Sequence, residues 1–260
     1  MPRASAEQSS DIEIREVTAI EEYNACVLLQ REVFGLPDLE ISPRRHLIVS
    51  HEAGGWTLGA FIEGKLVGFV LHLAAVHGDE IFGYSHMMAV AAEYQNRGLG
   101  ARLKWAQRAR ALSEGRNFIK WTFEPTRARN AYFNLNRLGV VVREYAANFY
   151  GTDYVTNPAE KAAGVSGMDS DRVFASWELR SPRVEALATG AEYSLPAEPD
   201  RTIEIPADYS LLLRSDPAAG KREQMRVREE FLKALGDGLV CRAFERDAAR
   251  PRYLFYQKED

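Results

Sequence analysis

Tyr94-Gln95-Asn96-Arg97-Gly98-Leu99-Gly100 carries the most specific chemistry in this chain. An apolar run, Ser85 to Val90, precedes it, and a helical pattern, Ala101 to Leu112, follows. A strand, a glycine turn and a helix in that order make a cradle for phosphate. Glycine lets the backbone approach an anion closely, and the free N–H groups of the first helical turn point at it. The dinucleotide fingerprint G-x-G-x-x-G fits poorly, because its first glycine is missing and no acidic residue follows a second strand at the required distance.

The spacing Gln95-x-x-Gly98-x-Gly100 resembles the pyrophosphate loop of the GNAT superfamily, the acyl-CoA-dependent N-acyltransferases. Val90, five residues before Gln95, matches that family's strand-ending valine, and basic Arg97 precedes the first glycine. Further stretches resemble one subgroup of GNAT proteins: Tyr84 to Met87, Trp121 to Pro125, Arg129 to Gly139, Asn148 to Gly151, Asp171 to Phe174, Ile205 to Tyr209 and Phe244 to Arg246. The resemblance implies acetyl-CoA or another acyl-CoA as co-substrate, no metal, and a small-molecule amine as acceptor. Some members of the subgroup act on amino acids, N-succinylation included.

Acyl transfer to an amine must hold the donor, stabilise an oxyanion, remove a proton from the ammonium and release a thiolate. Backbone N–H groups of Gln95, Asn96, Arg97, Gly98, Leu99, Gly100 and Ala101 meet the first need. The resemblance assigns the second, with the pantetheine contacts, to the strand at Met88, Ala89 and Val90, where the family's sheet splays. His86 is the first candidate base, because an unperturbed histidine titrates near working pH. Glu124 is the second, at the end of the strand after the cradle helix. Each has an ordinary alternative: a hydrogen-bonded strand histidine, and a carboxylate paired with Arg127 or Arg129.

Many GNAT proteins carry a tyrosine acid four residues before the glycine that ends the next helix. Gly139 ends that helix here, and the position is Leu135. Tyr132, one turn earlier on a similar face, is the substitute candidate. Asn130 and Asn134, four apart, are candidate donor contacts, although the family's asparagine corresponds to Ala128. Arg172 and Arg143 are candidate carboxylate clamps for the acceptor, and Tyr150 with Phe149 candidate pocket walls.

The elements that must position these groups read as a mixed, mostly antiparallel central sheet with helices on both faces, the GNAT-like α/β (α+β) order. Strands are expected at 12–17, 56–62, 65–75, 80–90, 118–123 and 140–145. Helices are expected at 18–34, capped by Thr18 with Glu21, and at 43–51, 99–115 and 126–138. Glu63-Gly64 reads as a two-residue hairpin turn. Residues 151–170 read as a long loop and 181–200 as a patternless connection. A strand–helix–hairpin tail closes the chain, its helix Pro217 to Leu235 burying Met225, Val227, Phe231, Leu232 and Leu235. The domain reading is a disordered tail at 1–10, an acyltransferase domain at 11–180 and a C-terminal extension at 181–260.

At 260 residues, 46% hydrophobic and 27% charged, a folded protein with a sizeable core is expected. A net charge of -4 argues against a general nucleic-acid binder. From Tyr94 to Tyr145, however, eleven Lys/Arg face three Asp/Glu. That bias suits a polyphosphate donor, with Arg97 and Arg102 as contacts and Lys104, Arg108 and Arg110 on a solvated helix face. Cys26 and Cys241 form neither metal spacing nor disulfide framework, which fits reduced thiols in a cytoplasm. No apolar run suits a leader or a bilayer span, so neither secretion nor a membrane is expected. Two function classes stay open: an N-acyltransferase, and a non-catalytic acyl-CoA-binding sensor or scaffold. A homodimer is compatible with either.

Overall fold

The computed structural model describes residues 12–152, 154, 158–196 and 198–258; the expected disordered tail at 1–10 lies outside them. The chain forms two compact units, Met1–Ala74 with Ser85–Arg110, and Ala75–Tyr84 with Ala111–Asp260.

In the first unit, β1 (Glu13–Glu16), β2 (Trp56–Ile62), β3 (Lys65–His77) and β4 (Glu80–Val90) are successive neighbours. β1/β2 and β2/β3 are antiparallel. Glu63 and Gly64 join β2 to β3, both at positive φ (49° and 78°), the geometry a two-residue hairpin demands. Helices α1 (Ile20–Phe34), α2 (Arg44–Glu52) and α3 (Leu99–Ser113) complete this unit apart from α3's last residues. Tyr23, Cys26 and Leu29 of α1 pack with Leu47, Phe61 and Phe69 in its core. The α1 start differs from expectation. Ala19, not Thr18, is the cap residue, and Glu22, not Glu21, reaches back, its Oε2 accepting from the Thr18 and Ala19 N–H groups at 3.0 and 3.2 Å.

In the second unit the sheet runs β4-β5-β7-β6-β9-β10-β8, with β5 (Phe118–Phe123), β6 (Val141–Ala146), β7 (Arg172–Glu178), β8 (Arg201–Glu204), β9 (Leu239–Glu245) and β10 (Arg252–Gln257). Gly83↔Ile119 and Tyr84↔Lys120 make the parallel β4/β5 pair; the remaining pairs there are antiparallel. The C-terminal strands therefore continue the same sheet, with Val142 opposite Cys241.

Four helical expectations are corrected. The expected helix 126–138 is a short α4 (Ala128–Tyr132) continued by a π-turn, Phe133–Arg137, before Gly139 at φ 75°. The loop 151–170 contains α5 (Pro158–Ala162). The patternless stretch after Ser181 contains α6 (Pro182–Thr189), with Ser181 Oγ capping Val184, proline at the first turn and Gly190 at φ 74° ending it. A further helix, α7 (Tyr209–Ser215), precedes α8 (Pro217–Gly236).

The α8 stripe is also redrawn. Gly220, Gln224, Val227, Phe231 and Ala234 are buried, whereas Met225 and Leu232 are exposed and Leu235 is half-buried. Alternating steps of four and three keep the buried set on one helical face, and that face packs on β6, β8 and β9. Gly220 has no room for a Cβ against the Leu213 side chain, which lets α7 and α8 close on each other.

Candidate functional site

The cradle lies in the first unit. β4 ends at Val90, and Gln95 Nε2 donates to the Val90 carbonyl at 2.9 Å, which fixes the chain's exit from the strand. Asn96 and Gly98 take φ of 61° and 80°. These left-handed residues turn the backbone so that successive N–H groups converge. The first helical bond of α3 is Arg102 N–H to the Gly98 carbonyl, at 3.1 Å. The N–H groups of Leu99, Gly100 and Ala101 therefore precede any intrahelical partner, and the first turn holds no acid to oppose an anion. A Cβ on Gly100 would stand 3.3 Å from Met88 Cε, so this glycine permits close approach to β4. The backbone shape and charge fit a pyrophosphate. Arg97 lies loosely over Tyr94, 6.0 Å from its ring centroid. Arg102 instead donates to the Ile12 carbonyl at 2.9 Å, tying α3 to the start of β1.

Met88, Ala89 and Val90 close β4, with Ala89 and Val90 buried. His86 stands two residues earlier, on the exposed side. Its Nε2 is 3.4 Å from Ser42 Oγ, and its ring meets His46 edge-on at 5.8 Å. Partial loss of hydration against neighbouring atoms, then His46, lowers its pKa from the ordinary 6.5. A neutral imidazole at pH 7 is a competent proton acceptor.

Lys104 corrects the expected solvated face of α3. It is buried, its Nζ donating to Ser85 Oγ at 2.7 Å and to Gln107 Oε1 at 3.1 Å. Gln107 Nε2 lies 3.3 Å from His72 Nδ1, and His72 stacks on Trp56 with centroids 4.0 Å apart. Burial holds the Lys104 ammonium well below its ordinary pKa.

The second unit carries an open pocket of ≈ 480 Å³, mouth included, whose walls include Glu124, Arg127, Tyr154, Glu160, Asp171 and Arg172. Glu124 Oε2 accepts from Arg127 Nε at 2.6 Å, while Arg127 also forks onto Glu160 at 2.6 and 2.8 Å and donates to Ser210 of α7. Burial opposes the Arg127 charge, but Glu124 and Glu160 outweigh it and keep the guanidinium protonated. The remaining Glu124 oxygen is 3.8 Å from Arg172 Nη2, an ion pair too long for a hydrogen bond. Arg172 is only 6% exposed. Its Nη1 donates to the Asp171 carbonyl at 2.8 Å, and its guanidinium lies over Tyr150 and Tyr154, 5.1 and 5.7 Å from the ring centroids. A buried guanidinium with donors to spare beside a pocket suits a carboxylate.

The other expected site residues separate. Tyr150 joins Arg172 and lies 3.2 Å from Thr122 Oγ1, with Phe149 edge-on to it at 4.7 Å. Burial, then Tyr150, pushes the nearby Tyr84 hydroxyl up to about 12. Arg143 pairs with Glu178 on the adjacent strand at 2.9 Å and does not line the pocket. Tyr132 packs under Arg246 at 4.9 Å. Asn130 is exposed, but Asn134 is buried and accepts from Trp121 Nε1 at 3.2 Å, so the two asparagines do not present one surface. The sequence reading missed Glu160, Tyr154 and Arg228, whose partners are remote in sequence. Among the described residues no cluster of three metal-ligating side chains occurs. No described helix is long and apolar enough to cross a membrane. Cys26 and Cys241 are buried free thiols.

Residues 21–136 match the acetyltransferase (GNAT) family. No curated protein matches the chain. Among solved structures, an N-acetyltransferase from Staphylococcus aureus Mu50 is similar at 11% identity and TM-score 0.52, over 66% of this chain and 100% of that one. A GNAT-family structure from Desulfovibrio desulfuricans is similar at 15% identity and TM-score 0.52, over 65% and 99%. Streptococcus mutans UA159 smu.2055 is similar at 16% identity and TM-score 0.50, over 65% and 99%. At these identities the likeness is one of fold.

Proposed function

We propose that this chain, which belongs to the GNAT acetyltransferase superfamily, moves an acetyl or succinyl group from CoA to the amine of a small molecule, with amino acids among the candidate acceptors. The observation that carries the reading is the cradle: two left-handed residues, an unopposed helix start and a glycine fitted against Met88. CoA supplies the activated thioester, which the amine attacks directly.

The chain's own groups take the remaining tasks. N–H groups from Asn96 to Ala101 bind the pyrophosphate, the Gln95 N–H being engaged by the Ala92 carbonyl at 3.3 Å, and the main chain at Met88 to Val90 holds the pantetheine and acyl carbonyl. His86, neutral at pH 7, accepts the ammonium proton. Glu124 is the second candidate base, although its bond to Arg127 commits one oxygen. Tyr132 is the candidate proton donor to the departing thiolate, with exposed Asn130 as the donor contact proposed alongside it; Asn134, buried and bonded to Trp121, is the weaker candidate. Arg172 with Tyr150 recognises an acceptor carboxylate; Arg143, engaged by Glu178, is the weaker candidate. In this reading residues 11–180 are the acyltransferase domain and 181–260 an extension. The protein works in the cytoplasm, without nucleic acid or membrane, as a monomer or homodimer.

Thiol release from acetyl-CoA and succinyl-CoA across an amine panel tests transfer, and calorimetric titration with CoA tests the cradle. A second reading, an acyl-CoA sensor without transfer, is favoured by Leu135, fully buried where many relatives carry tyrosine. Saturable CoA binding with no turnover on any amine would select it.

A further inference from the structure

Arg228 lies on α8, far beyond the residues that match the acetyltransferase family. Its Nη2 donates to Asp169 Oδ2 at 2.7 Å and to Asp171 Oδ1 at 2.5 Å, and its Nε donates to Asp171 Oδ2 at 2.9 Å. Both Asp171 oxygens are thus held by one planar fork, the geometry that only arginine offers. Asp171 is 2% exposed and takes two further donors, Tyr145 Oη at 2.5 Å and Asn148 N–H at 3.0 Å.

That carboxylate anchors two chain segments. Ser170 N–H donates to Asn148 Oδ1 at 3.2 Å, Tyr150 N–H to Ser170 Oγ at 2.7 Å, and Thr152 bridges to Asp169. Gln224, one turn before Arg228 on α8, donates to the Asp169 carbonyl at 2.6 Å. The segment 169–171 is therefore fastened to α8 at three points, and the segment 148–152 is fastened to it in turn. Arg172 follows directly, with Nη1 on the Asp171 carbonyl, and Tyr150 lies over its guanidinium.

We infer that Arg228 is a positioning residue: gripping Asp171 and Asp169 from the C-terminal helix, it sets the Arg172 guanidinium, stacked on Tyr150, against the pocket, so acceptor selectivity is controlled from that helix. This rests on the reading of that pocket as the acceptor site. Arg228 touches no pocket space itself, since the pocket walls include Asp169, Asp171 and Arg172 but not Arg228. A misplacement of about 1 Å in a substrate-binding group can cost about a hundredfold.

Two readouts test it. The first needs no substrate: the Arg172 Nε–Hε resonance in a ¹⁵N-arginine spectrum, assigned by its loss in Arg172→Lys, should shift in Arg228→Gln. The second uses the amine found to turn over. Arg228→Gln should raise the acceptor KM about ten- to a hundredfold, leave the CoA-donor KM within about twofold, and be partly rescued in Arg228→Lys. In an Arg172→Ala background the same change should add less than about twofold, because the two residues act through one contact. If Arg228→Gln does not fold, Arg228→Gln with Asp171→Asn removes both charges and leaves no buried carboxylate unpaired. An unmoved Arg172 resonance, or effects of the two substitutions that simply multiply, overturns the inference. Absence of any turnover would count against the acyltransferase reading alone, and the resonance would still decide the role of Arg228.

Discussion

Gln95 Nε2 and the Val90 carbonyl meet at 2.9 Å, joining the last residue of β4 to the first residue of the turn that follows. The side chain closes the turn, and the main chain within it is left to face a ligand. Binding therefore depends more on backbone shape at Gly98 than on the identity of any turn side chain.

Gly98→Val should weaken CoA binding more than Gln95→Ala. A Cβ at Gly98 meets nothing within 4 Å, so the penalty is conformational, from φ 80°. About 1–3 kcal/mol is expected for a branched residue held there, against about 1 kcal/mol for the lost Gln95 bond. Gly98→Asn should fall between, because asparagine tolerates this region, as Asn96 already does. Calorimetric Kd values for CoA rank the three variants, and equal affinities for Gly98→Val and wild type would contradict the cradle.

His86 should define the acid limb of kcat/KM. Its pKa lies below 6.5, so the neutral form persists to lower pH than for an ordinary histidine, and the rate should fall only as pH drops beneath that value. His86→Gln should lower the rate about a hundredfold and remove this limb. A pH profile with the limb intact would reassign the base, Glu124 being next.

Lys104 should give stability an unusual alkaline slope. The unfolded lysine keeps its proton up to about 10.5, whereas the folded one releases it well below that value. Between the two the unfolded state binds more protons, so wild-type stability rises with pH through that window. Lys104→Met lacks this slope. Its stability relative to wild type should therefore decline as pH rises from neutral toward 10.5, as read by urea denaturation at stepped pH. A pH-independent difference would mean that the folded Lys104 stays charged.

Glu160→Gln should cost stability with little change in CoA affinity. Glu160 is buried and takes both Arg127 bonds of the fork, and Ser210 Oγ also donates to it at 2.6 Å. Breaking a largely buried pair from one side costs about 3 kcal/mol. Thermal unfolding reads the loss, and a melting temperature equal to wild type would show that solvent already screens the pair.

Much of the fold was legible because its signals are local. Alternation marked β1, Glu63-Gly64 fixed the hairpin between β2 and β3, and the amphipathic run from Pro217 marked α8. The misses are equally physical. Residues 126–138 read as one α-helix because neither the π-turn nor its closing contact, Arg183 Nη2 on the Leu135 carbonyl at 2.7 Å, has a sequence period. Ser181-Pro182 was a readable helix start, but only eight residues follow before the end of α6, too few for periodicity to emerge.

The amino-acid order alone marked the turn after β4: it closes within a few residues, and its left-handed positions favour glycine and asparagine wherever the rest of the chain goes. Tertiary structure alone decided which charges are spare. Arg102 read as a donor contact and Lys104 as a solvated charge on the same helix, yet a bond to Ile12 engages the first and packing against β4 buries the second. Arg172 and Arg143 both read as candidate clamps, yet one lines a pocket and the other meets Glu178 across a strand pair. Arg228 and Asp171, 57 residues apart, left no mark in spacing. A charge acquires its role from the partners that folding brings within about 3 Å, and those partners are chosen by strand order and helix docking, which no local pattern encodes.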